Sequence, residues 1–191
     1  MKKSTTGVTI ILMLIIVALV GVYAFFTGKA KSEAEDAVMT PVQSVLNRNL
    51  QQDYPATVKE VIKYYTEIEK CLYNEDCTEE EIESLGMQAR LLYDDELLEI
   101  NEVGSYLQRL KDDVKLYKDR ERRITGALVA ASNSVDTFSQ DGYDFARIYC
   151  GYSLMEKGQS VSEGRVFLLR RDDKRRWKIY GWESSEKVNP Q

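Results

Sequence analysis

A chain of 191 residues with 26 basic and 31 acidic side chains, and no histidine at all, lacks the usual proton shuttle near neutral pH and a frequent metal ligand. Histidine-dependent catalysis is excluded. Lys2 and Lys3 precede a long apolar run, so the part beyond it carries 24 basic against 31 acidic residues, a net of −7, the wrong sign for a nucleic-acid binder.

The first element in chain order is the run Gly7 to Gly28, 22 residues without a charge. At about 1.5 Å per residue such a helix spans the roughly 30 Å hydrocarbon layer. The 22-residue run is longer than the roughly 7–15-residue hydrophobic segment of a cleaved signal peptide, and its apolar centre, Ile10 to Val20, holds no strongly polar residue. The reading is therefore a retained anchor through residues 7–28, with cleavage near Gly28 and Ala30 as the alternative. Lys2, Lys3 and the free amino terminus weigh slightly more than Lys29 and Lys31, which favours residues 1–6 as a cytoplasmic tail and an extracytoplasmic body.

Residues 29–53 read as a juxtamembrane connector with a short amphipathic segment (Val38, Val42, Val45, Leu46, Leu50) and Pro41 near its first turn. The body, 54–191, is long enough for one hydrophobic core. Thr57 with Glu60 and Thr78 with Glu81 form the capping pattern that opens a helix. The first helix carries the stripe Val58, Val61, Ile62, Tyr65, Ile68, Leu72; the second carries Ile82, Leu85, Ala89, Leu92, with Gly86 weakening its middle or marking a bend. A third helical region runs from Leu97 to Tyr117.

From Arg122 the pattern turns to short runs rich in β-branched and aromatic residues, read as four strands: RRITGALVAASNSVDTF, YDFARIYCGYSLME, GRVFLLRR and RRWKIYGWE. Strict alternation puts Asp144, Ala146, Ile148, Cys150 and Tyr152 opposite Phe145, Arg147, Tyr149 and Gly151. In the last strand it puts Trp177, Ile179 and Gly181 opposite Lys178, Tyr180 and Trp182. Three helices followed by an antiparallel sheet make an α+β fold.

This order of elements, closing in FLLRRDDKRRWKIYGWE, resembles the nuclear transport factor 2-like superfamily, which includes the SnoaL-like proteins. More narrowly, the chain resembles a group of single-span proteins from clostridial Firmicutes. The resemblance implies a curved sheet wrapped around a helix to make a cone, used across that superfamily as enzyme pocket, ligand receptor or dimer platform. Its Asp–His chemistry does not transfer to a chain without histidine.

Candidate residues follow from chemistry. Arg147, Tyr149, Tyr152, Trp177, Tyr180 and Trp182 are nominated for a ligand or partner surface, since large rings give contact area with few rotatable bonds; core packing is the competing role. Asp136, Asp144 and Glu163 are the acids in or beside strands. Cys71 and Cys77 sit where a helix–helix loop can close, so they are either a disulfide staple worth on the order of 2 kcal/mol or free thiols. Cys150 reads as a small core side chain. The segment Glu75–Glu102 holds 11 acids against Arg90 alone, and Arg165–Lys178 holds seven bases against two acids. The acidic segment lacks calcium-loop spacing and its central glycine, and no phosphate loop, dinucleotide fingerprint or nucleophile elbow is present.

The expectation is a noncatalytic binding or interaction module anchored in the cell membrane, needing no cofactor or metal. Its partner would be a peptide, an envelope protein or a second copy. A small cone-fold hydrolase or isomerase using Asp or Tyr, and a structural component of an envelope assembly, are the alternatives.

Overall fold

The computed structural model of the chain describes residues 39–186. The expected span 7–28 and the start of the connector lie outside the described residues. Among those described, no helix is long and apolar enough to cross a membrane. The fold is α+β: helices α1 (Pro41–Leu46), α2 (Val58–Asn74), α3 (Glu79–Arg90), α4 (Asp95–Glu99) and α5 (Val103–Asp119) precede strands β1 (Arg122–Val129), β2 (Asp136–Gln140), β3 (Tyr143–Glu156), β4 (Gln159–Arg171) and β5 (Trp177–Ser185). Five helices are described where periodicity predicts three. The extra two are short, five and six residues, below the length at which a 3.6-residue repeat is legible.

Both capping boxes form. Thr57 Oγ1 accepts from the Glu60 amide at 3.2 Å while the Glu60 carboxylate accepts from the Thr57 amide at 3.1 Å. Thr78 and Glu81 repeat the exchange at 3.2 and 2.8 Å. All six stripe residues of α2 are buried, as are Ile82, Leu85, Ala89 and Leu92 of the second stripe. Gly86 has a packing reason: a Cβ there would lie 2.7 Å from Leu110 Cδ2 and 3.0 Å from Leu107 Cδ2, so α3 and α5 cross at a residue without a side chain.

The five strands form one open antiparallel sheet in the order β1-β3-β4-β5, with β2 paired to β3. The run read as a single first strand breaks at Ser132–Ser134, a turn of 3-10 helix. Its two halves become β1, beside Cys150–Glu156, and β2, beside Tyr143–Arg147. Two hairpins close through two-residue turns, Asp141–Gly142 and Lys157–Gly158, each with positive φ at both positions. That backbone matches the right-handed twist of the flanking strands.

β3 keeps its alternation: Ala146, Ile148, Cys150, Tyr152 and Leu154 are buried toward the helices. β5 does not. Its register against β4 shifts between Leu168 and Leu169, whose partners are Gly181 and Ile179, leaving Tyr180 as the extra residue of a bulge. Beyond it the alternation inverts. Trp182, expected opposite Ile179, pairs with the buried Phe167 and meets Tyr65 of α2 with ring centroids 5.9 Å apart.

The connector reading also changes for residues 41–53. Val42, Val45 and Leu50 belong to the core, Tyr64 Oη donates to Val45 O at 2.7 Å, and Gln88 Nε2 donates to Arg48 O at 2.8 Å. The compact unit thus begins at Pro41, because an amphipathic turn with three buried aliphatic residues is core material and not a spacer.

Candidate functional site

The six nominated surface residues divide between the two sides of the sheet. Tyr152, Trp177 and Trp182 lie on the helix-facing side. Arg147, Tyr149 and Tyr180 lie on the outer side.

On the helix-facing side, α2 presents Tyr65, Glu69 and Tyr73 at successive four-residue steps, which superimpose on one face of a helix. Glu69 is 4% exposed. Its Oε1 accepts from Arg165 Nη1 at 2.5 Å and its Oε2 from Tyr152 Oη at 2.6 Å, and the Arg165 guanidinium lies 4.7 Å from the Tyr152 ring centroid. Burial works against charge on Arg165, but Glu69 outweighs it and holds the guanidinium above its ordinary range. Burial, then Glu69, pushes the Tyr152 phenol far up. Rings fill the space on either side: Tyr65 against Phe167 at 5.7 Å, and Tyr73 stacked on Tyr117 at 4.0 Å. Each oxygen of this carboxylate is committed to a protein donor, so the cluster organises a core.

The acids nominated from sequence are elsewhere. Asp136 is exposed and pairs with Arg147 at 3.4 Å. Asp144 is exposed and accepts from Ser139 Oγ at 2.9 Å. Glu163 pairs with Arg122. Glu69 was missed, although its position four residues after Tyr65, within the buried stripe of α2, marks it. Among the described residues no cluster of three or more acids and cysteines is placed to hold a metal ion.

The outer side carries a cross-strand aromatic row. Phe138 stacks on Phe145 at 5.5 Å, and Phe145 meets Tyr180 edge to face at 5.7 Å. Tyr180 faces this row as alternation from the buried Ile179 predicts. Val166 and Leu168 lie beside Tyr149 and Arg147 in the register, and Gly151 pairs with Gly164, leaving a smooth strip next to Leu128, which is 59% exposed. Arg147 lies over Phe138 at 5.6 Å, and Arg170 over Tyr143 and Tyr180 at 4.6 and 5.0 Å. α4 touches only the rim: Glu96 accepts from Arg170 Nη1 at 2.5 Å and Tyr180 Oη at 2.7 Å.

The acidic and basic segments neutralise each other in part within one molecule. Arg170 holds Asp94 through two nitrogens, at 2.5 and 2.9 Å, as well as Glu96. Lys111 bridges Glu79 and Glu83, and Lys118 reaches Asp76.

All three cysteines are free thiols. Cys71 points into the core, while Cys77 Sγ donates to Cys71 O at 3.4 Å instead of bonding sulfur. Burial raises the Cys71 thiol from 9.0 to about 11 and Cys150 to about 12, which disfavours the thiolate needed for exchange.

A protein-family profile described as a domain of unknown function, DUF6715, matches residues 1–182. The chain belongs to that family. No curated protein matches the chain. The family assignment carries no activity, so function rests on the geometry above. Helices packed on an open antiparallel sheet are consistent with the nuclear transport factor 2-like superfamily, and a fold shared by many functions does not select one.

Proposed function

We propose that this member of DUF6715 is a single-span, membrane-anchored interaction module whose body lies outside the cytoplasm and captures an apolar protein surface on the outer side of its sheet. The observation that carries this reading is the aromatic row Phe138–Phe145–Tyr180. It continues into Leu168 and the exposed Leu128, on a side that, among the described residues, α4 reaches at the rim through Glu96. Contiguous apolar area rimmed by arginine is a recurrent mark of protein–protein contact. The uncharged run 7–28 and its flanking lysines support the anchor and its orientation. A cone of the SnoaL-like kind is the finer form of the fold that this reading adopts.

The enzyme alternative lacks a comparable foundation. Its best buried acid, Glu69, spends both oxygens on Arg165 and Tyr152.

A photo-crosslinking side chain at Phe138 or Tyr149, in the full chain in its native membrane, is expected to yield a discrete protein adduct, and Leu168→Asp to remove it. External protease on spheroplasts is expected to digest the body. Adducts no stronger than those from a crosslinker at exposed Lys115 would overturn the docking surface, and full protection, with digestion after permeabilisation, would overturn the orientation.

A further inference from the structure

At the turn between β4 and β5, Asp172 caps the chain: it accepts from the Arg176 amide at 2.7 Å and from Arg176 Nε at 2.8 Å. Between this turn and the loop joining α3 to α4 lies a half-open cleft of about 950 Å³. Its wall holds six basic and four acidic side chains, in a chain whose net charge is −5. The acids do not neutralise it evenly. Asp94 is taken by Arg170 and Asp172 by Arg176, which leaves Asp95 and Asp173 against Arg90, Arg171, Lys174 and Lys178.

None of those four cations has a carboxylate partner among the described residues. Arg90 donates to Asn101 O at 2.6 Å, and Lys178 Nζ to Leu91 O at 2.5 Å, both backbone carbonyls. Arg171 lies over Trp177 at 4.8 Å, and its Nε is buried without an acceptor. Lys178 also shares one ring with a further charge, Arg176: the two lie 4.9 and 5.1 Å from the centroid of Tyr54. Burial, and next the neighbouring Arg176, lower the Lys178 ammonium from its ordinary 10.5. Four cations against two uncommitted carboxylates leave this wall with an excess of positive charge, which an anionic ligand with several acceptor oxygens would satisfy.

We propose that this cleft binds a phosphate-bearing ligand, with Arg171, Lys178, Lys174 and Arg90 as donors around the phosphoryl oxygens and Tyr54 as the adjoining wall. A phosphate group carries up to two charges on several oxygens, which suits donors converging from different elements, and guanidinium matches it through paired N–H bonds. The cleft is far larger than one phosphate and falls in the range of sites for whole small molecules, so the group belongs to an organic ligand. That ligand is either a soluble phosphorylated compound or a phospholipid headgroup. The inference is independent of the docking surface on the outer side of the sheet.

The test is equilibrium dialysis of the full chain in dodecyl maltoside with labelled inorganic phosphate, and in parallel with short-chain phosphatidylglycerol. Saturable binding is expected that weakens with ionic strength. It should drop about tenfold in Arg171→Gln or Lys178→Gln and stay unchanged in Lys115→Gln on α5. Lys174 is exposed, so Lys174→Gln leaves the fold intact and should still weaken binding several-fold. Tighter uptake of phosphatidylglycerol than of phosphate assigns the site to headgroups, and equal or weaker uptake assigns it to soluble ligands. Absence of saturable binding to both probes, or affinities that ignore Lys174→Gln and Arg171→Gln alike, would overturn the site.

Discussion

Glu69 shows how one side chain organises the interior. A carboxylate removed from water is costly unless its partners are in place, and here Arg165 and Tyr152 supply one bond to each oxygen. Removing it strands a guanidinium and a buried phenol together. Glu69→Ala should therefore lose about 3–5 kcal/mol of stability, read as a fall in the urea midpoint. Replacing all three partners together, as Glu69→Leu with Tyr152→Phe and Arg165→Met, should recover most of that loss, since an apolar cluster of similar volume leaves no orphaned group. A loss below about 1 kcal/mol in Glu69→Ala would show that the pair is not part of the core's cohesion. The residue was legible in outline, because Tyr65, Glu69 and Tyr73 share a helical face, but its partners come from strands 83 and 96 positions away. No local pattern names such partners.

At the level of elements, periodicity located the long helices well and the short ones poorly. α2 and α3 declare themselves by capping boxes and buried stripes, whereas α1 has only six residues and looks like a polar spacer with a few valines. Its burial is decided by the groove it meets. Val42, Val45 and Leu50 are each nearly sealed from solvent, and full burial of such a side chain is worth about 1.5–3 kcal/mol. A chain shortened to begin at residue 54 should accordingly lose on the order of 5 kcal/mol relative to one beginning at residue 39. Urea unfolding followed by circular dichroism measures the difference, and equal midpoints would return residues 41–53 to the status of a connector. The bulge at Tyr180 is a second element-scale decision. One extra residue in β5 sends Trp182 to Tyr65 and Phe167 and leaves Tyr180 on the outer row, an inversion that strict alternation cannot anticipate.

For the molecule as a whole, the number of buried weak acids sets its behaviour in alkali. Burial raises the phenols of Tyr65, Tyr73, Tyr93, Tyr106 and Tyr152 above their ordinary 10.0 and the thiols of Cys71 and Cys150 from 9.0 to about 11 and 12. In the unfolded chain these groups ionise at their ordinary values while the folded chain still holds them neutral. The unfolded state thus sheds protons first, and the stability present below about pH 9 is lost as pH rises toward 12. Melting temperatures measured from pH 8 to 11.5 should fall progressively, with a shallower fall in Cys71→Ala/Cys150→Ala after allowance for its lower baseline. A flat profile to pH 11.5 would contradict the burial of these groups.

The α+β order, the starts of α2 and α3 and the helix-facing side of β3 followed from sequence alone, since caps, 3.6-residue stripes and two-residue alternation are local consequences of backbone geometry. Tertiary structure decided which acid is buried, where β5 bulges, whether α1 belongs to the core, and which cations share the cleft at the β4–β5 turn. Each of those depends on groups far apart in the chain meeting in space, and there desolvation and packing outweigh any local preference.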